Sequence, residues 1–146
     1  MRLETTWSNW SPWLLGILRI VAAVLFMEHG TSKLFGFPPF PMGEVQLFSL
    51  LGLAGILEFV GGMLLLIGLF TRPIALVLAG EMAVGYFMAH APRGFYPLQN
   101  GGNGGELAIL YCFVFLYLWV AGGGVWSLDR LWARGSSAAV PAGSRA

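Results

Sequence analysis

The chain has 146 residues, 57% of them hydrophobic and 10% charged. Soluble domains carry roughly 25% charged residues, so this composition excludes an ordinary water-soluble domain and points to a membrane protein. The net charge of +1 leaves no basic field for nucleic acid, and a single cysteine, Cys112, excludes an internal disulfide or a CxxC relay.

Residues 1–12 read as a short polar lead bearing Trp7 and Trp10. Ser11-Pro12 is a good helix start, because proline is tolerated in a first helical turn. The apolar stretch that follows lacks an A-x-A-like cleavage site and a strongly basic leader, so it reads as a retained first span over 13–35. At about 1.5 Å per residue it supplies the roughly 20 residues a bilayer crossing needs. Arg19 lies two turns in, and Glu28, His29, Gly30 and Lys33 lie near its far end.

Gly36-Phe-Pro-Pro-Phe-Pro-Met-Gly43 cannot continue a helix. A second span is predicted over 45–70, with Glu58 near its middle and Ala54 and Gly62 on the same helical face. Such small-residue faces let helices approach closely in lipid. Thr71-Arg72-Pro73 is too short a turn for anything but an antiparallel neighbour, so a third span covers 73–91, with Glu81 central and His90 terminal. A polar, glycine-rich loop over 92–105 leads to a fourth span, 106–122, which begins at Glu106. The tail, 125–146, ends in Ser/Ala/Gly-rich residues expected to be disordered.

The expectation is an all-α polytopic membrane protein, an antiparallel four-transmembrane-helix bundle over residues 13–124 between a cytoplasmic lead and a cytoplasmic tail. Four spans put both termini on one side. That side carries Arg2, Arg72, Arg130, Arg134 and Arg145 against Lys33 and Arg93 on the other, a five-to-two bias that places the termini in the cytoplasm. All six tryptophans fall towards the same side and read as an interfacial belt.

A charge inside the bilayer costs roughly 2.5–3.5 kcal/mol on insertion scales unless it is paired, protonated or turned inward. The ionisable groups are therefore expected to converge on the bundle interior, forming a polar pocket that opens outwards with Glu58 and Glu81 at its floor. Each has a plainer reading. Arg19 snorkels or forms a structural ion pair with Glu81; His90 caps a helix end; Glu106 suits a helix N-terminus. Carboxylates and histidines from several helices can enclose iron or manganese, but the Glu-x-x-His spacing of di-iron bundles is absent. No metal is expected. His29 and His90 are the candidate ligands if a metal or haem were held.

At these residues the chain resembles the DoxX family of small four-helix membrane proteins. The matching pieces are Leu18-Arg19-Ile20, His29-Gly30-Thr-Ser-Lys33-Leu-Phe-Gly36, Glu58 with Gly61-Gly62, Gly68-Leu-Phe-Thr-Arg72-Pro73, Asn103-Gly-Gly105-Glu106-Leu and Ser127-Leu-Asp129. Glu28 departs from the apolar residue expected before His29. The resemblance spans about residues 14–132 and implies a membrane-bound, oxidoreductase-associated subunit. Some members are similar to the quinone-reducing membrane subunit of a thiosulfate:quinone oxidoreductase, and others associate with soluble thiol or superoxide enzymes.

The function expected from residues and resemblance together is a quinone-interacting subunit of the cytoplasmic (inner) membrane, working with a redox partner. Glu28, His29, Lys33, Asn103 and Glu106 would hold the quinone headgroup, and Glu58 and Glu81 would carry protons. No self-contained redox centre is visible in the chain, so a partner or cofactor would supply electrons. Two alternatives stand beside it. One is a non-enzymatic anchor or assembly factor. The other is a small proton-coupled transporter, which with four helices would need a homo-oligomer.

Overall fold

The computed structural model describes residues 2–138. Every regular element among them is helical: α1 (Arg2–Phe35), α2 (Leu50–Ile56), a π-helical turn (Leu57–Gly61), α3 (Gly62–Ile67), α4 (Thr71–Gly85), a second π-helical turn (Tyr86–His90), α5 (Glu106–Ala121) and α6 (Leu128–Ala138). Trp7–Phe35, Leu50–Ile67 and Thr71–Arg93 are long and apolar enough to cross a bilayer. The segment Glu106–Ala121 is apolar but shorter.

Several boundaries differ from the sequence reading. The lead is helical, so α1 begins at Arg2 with Pro12 inside it. An internal proline removes one ladder hydrogen bond, the one its own nitrogen would donate, without forbidding the turns on either side, and the Pro12 carbonyl accepts from the Val125 N–H at 3.2 Å. The second span starts at Leu50, not 45, because Ser49 is an extended N-cap whose hydroxyl accepts from the Gly52 N–H at 3.1 Å. The third starts at Thr71, which leaves Pro73 in the first turn, where its missing N–H costs nothing. The tail forms α6 as far as Ala138. The disorder expected at its end concerns residues 139–146, outside the described residues.

The four apolar segments close on one another. α1 packs along the second span, α3 and its π turn meet α4, α4 runs along α5, and α5 returns to α1. The closure buries Phe26, Leu65, Leu78, Phe115 and Leu118 with Ala22, Ala23, Ala75 and Ala79. Phe26 and Phe115 meet edge to face, centroids 4.8 Å apart. Leu14, Val21, Leu25, Val77, Leu110 and Phe113 are exposed on the outside, as lipid-facing positions must be.

The tightest crossing lies between α1 and the second span. A Cβ on Gly30 would sit 2.5 Å from the Phe59 backbone nitrogen, and one on Gly62 would sit 2.4 Å from Met27 Cγ. Glycines there let backbones touch. The face of the second span turned inward runs through Gly52, Gly55, Glu58, Gly61, Gly62 and Leu65. Gly55 lies under Lys33, whose Cβ would be 3.0 Å from a Gly55 Cβ, while Ala54, expected on the Glu58 face, is half-buried.

Candidate functional site

The interior group is built from three segments. Lys33, in the last turn of α1, donates to Glu58 Oε1 on the second span. The pair is well shielded, with 13% of the lysine and 3% of the glutamate exposed. Glu58 falls in the π turn Leu57–Gly61, an irregularity of the kind that recurs inside helices at functional positions. Among the described residues, Glu58 Oε2 has no hydrogen-bond partner, and neither oxygen of Glu81, on α4, has one either; all three atoms are buried. Glu81 lies within electrostatic reach of both Glu58 and Lys33, and Glu58 within reach of His29. One lysine therefore serves two carboxylates. Three buried acceptor oxygens are left without a donor, which is costly in a protein interior.

Other expected site residues sit differently. Glu28, His29 and Glu106 are exposed and do not enter the bundle. They lie near helix ends, where a polar side chain reaches the interface without turning inward. His29 meets Tyr111 of α5 edge-on, centroids 6.3 Å apart, at the margin of the interior group. Tyr111 also lies within electrostatic reach of Glu28. Sequence reasoning missed Tyr111, because an aromatic in an apolar run carries no polar signal until its neighbour is known.

Asn103 is not a free ligand. It is 1% exposed and its amide closes the loop between α4 and α5. Nδ2 donates to the Gly94 carbonyl at 2.7 Å and to the Tyr86 hydroxyl at 3.4 Å, while Oδ1 accepts from the Gly105 N–H at 2.7 Å. The Tyr86 hydroxyl donates in turn to the Phe95 carbonyl. His90 stacks on Tyr86, and its Nδ1 lies 2.8 Å from the Asn103 carbonyl. His90 thus belongs to this loop staple and His29 to the margin of the ion pair. Among the described residues no three His, Cys, Asp or Glu side chains gather as metal ligands.

Arg19 does not pair with Glu81. It is fully buried and spends its guanidinium on main-chain carbonyls. Nε donates to Gly123 at 2.7 Å, one terminal nitrogen to Leu65 and to Leu66, and the other to Trp126 at 2.7 Å. These carbonyls belong to the end of α3 and the turn after α5, where helices leave backbone acceptors unpaired. A rigid fork of donors suits that cluster, and antiparallel threading brings it to Arg19 from two chain segments. Asp129 secures the same end, accepting at 2.8 Å from the N–H groups of both Phe70 and Thr71. Gly68 and Phe70, both left-handed (φ 68° and 52°), form the tight turn it braces.

Several apolar helices closed around a buried lysine, arginine and carboxylate pair define a small polytopic helical membrane protein. The family model for DoxX matches residues 14–91, and the chain belongs to the DoxX family. It is 44% identical over 127 residues to an uncharacterized protein of Haemophilus influenzae, covering 84% of this chain and 92% of that one. It is 31% identical over 124 residues to the inner membrane protein YqjF of Escherichia coli, covering 79% and 88% respectively. No solved structure matches the chain significantly.

Proposed function

We propose that this DoxX protein is a quinone-interacting subunit of the cytoplasmic membrane, in which Lys33, Glu58 and Glu81 take up and pass protons while a redox partner handles electrons. The observation that carries this reading is the set of three buried, unpartnered carboxylate oxygens on Glu58 and Glu81 beside a single lysine. Quinol hydroxyls are donors of the kind those oxygens lack. When bound, a quinone couple supplies a two-electron, two-proton exchange. Lys33 holds one carboxylate in place, Glu81 is free to take or release a proton, and exposed His29 is the group best placed to exchange it with the interface. On this reading a polar pocket opens towards the loop end of the bundle, at His29 and Lys33.

The name of the E. coli relative places that protein in the inner membrane, and we assign this chain the same setting, with both termini in the cytoplasm. α5 acts as a fourth span. Its 16 residues reach about 24 Å, a shortfall that local thinning of the bilayer accommodates.

The test is mass spectrometry of lipids co-purified with gently solubilised protein, wild type against Glu58→Gln and Glu81→Gln. Near-stoichiometric quinone in wild type, lost from variants with an unchanged size-exclusion profile, is expected. Wild type that carries no quinone, and whose melting temperature does not rise when a short-chain quinol is added, would overturn the reading.

A further inference from the structure

Two cavities lie at the end of the bundle that carries the first turns of α1 and α6, away from the Lys33–Glu58 pair. The first, about 730 Å3, is lined by Arg72, Arg130, Ser11 and Asp129 together with apolar residues including Leu15 and Tyr117. The second, about 620 Å3, is lined by Trp7, Trp10, Leu14 and Leu18, and it shares Ser11, Leu15 and Tyr117 with the first. The two adjoin at these shared residues, and together they form a depression that is basic in its first part and apolar in its second.

Charge decides what suits the basic end. Both Asp129 oxygens already accept main-chain bonds from Phe70 and Thr71. Arg72 gives one bond to the Trp119 carbonyl at 3.1 Å, which holds its side chain over Gly122 and leaves its other donors unused by that contact. Arg130 stands half-buried in α6. Two guanidinium groups against one carboxylate, whose oxygens are already engaged, leave this end net positive, which suits a phosphate or a similar oxyanion. The adjoining groove has no such selectivity. Leu14, Leu15 and Leu18 on α1 and Tyr117 on α5 offer it a hydrocarbon wall, and exposed Trp7 and Trp10 rim it as aromatics rim a headgroup layer.

We propose that this depression binds one anionic phospholipid, its phosphate held by Arg72 and Arg130 and one acyl chain laid along Leu14, Leu15, Leu18 and Tyr117. The lipid bridges the start of α1, the start of α4 and α6, the three segments that the tail draws together.

The test is native mass spectrometry of the full chain in neutral detergent doped with equal phosphatidylglycerol and phosphatidylcholine. At the interfacial value per arginine, two arginines give about 30-fold preference for phosphatidylglycerol, Arg130→Gln lowers it about fivefold, and Arg72→Gln with Arg130→Gln brings it to parity. Because Arg72 also holds α5, the single Arg130 variant keeps the test valid if the double variant does not fold. Lysophosphatidylglycerol should compete and glycerol 3-phosphate should not. Equal retention of both lipids by wild type, or a preference that survives in a folded double variant, would overturn the proposal. Full displacement by glycerol 3-phosphate would overturn it too, leaving a site for free phosphate esters only.

Discussion

Lys33 illustrates how a single side chain is judged inside a bundle. Its ammonium neutralises Glu58 with both groups shielded, so the two form a unit and losing either one alone is costly. Replacing Lys33 by Met strands a buried carboxylate, and breaking such a pair from one side costs about 3–5 kcal/mol. Removing both charges, with Lys33→Met and Glu58→Gln together, should recover much of that loss. Unfolding of the purified protein in detergent, followed by circular dichroism, measures both variants. If single and double variants lost the same amount, the pair would not be a unit. Arg19 teaches a different lesson. Its position inside the first span is plain from the sequence, but its acceptors are the carbonyls of Leu65, Leu66, Gly123 and Trp126, and no residue type announces a carbonyl. Asp129 is similar, since its role appears only when the turn at Gly68–Phe70 stands beside it.

At the scale of elements, helix identity followed from apolar length and proline punctuation, while boundaries and packing faces followed from local contacts. The crossing of α1 with the second span depends on Gly30 lying against the backbone of Phe59. Gly30→Ala would force the two apart, at a cost of about 1–3 kcal/mol for overpacking. Gly80, on the outside of α4, has open space around its Cβ position, so Gly80→Ala should be neutral or slightly stabilising. Thermal aggregation midpoints of the two variants in the same detergent compare them directly. Equal midpoints would show that the close approach at Gly30 is not a tight constraint. The π turn holding Glu58 was invisible beforehand, because a one-residue widening of a helix leaves the apolar run unchanged.

For the whole molecule, the arrangement puts α1's first turns and α6 at one end, joined by the Val125–Pro12 hydrogen bond and by Arg19. The loop Gln99–Gly101 lies between the third and fourth apolar segments. Cysteines introduced as Thr5→Cys and Ser136→Cys in a Cys112→Ser background should both be shielded from a membrane-impermeant maleimide applied to intact cells, whereas Gln99→Cys should react. Opposite labelling of residues 5 and 136 would rule out α5 as a crossing segment and, with it, the placement of both termini in the cytoplasm.

The sequence by itself determined the class of the molecule: 10% charge, long apolar runs and a proline-rich break require a helical membrane protein, because backbone groups in lipid must pair within their own segment. It also marked Glu58 and Glu81 as groups that could not face lipid. Tertiary structure alone decided which charges meet. Lys33 reaches Glu58, Glu81 is left without a donor, Asn103 is drawn into the loop staple, and Arg19 is drawn to the ends of α3 and α5. Those choices depend on helix rotation and on the few ångströms that Gly30 and Gly62 allow between backbones, and neither quantity is carried by hydropathy or spacing.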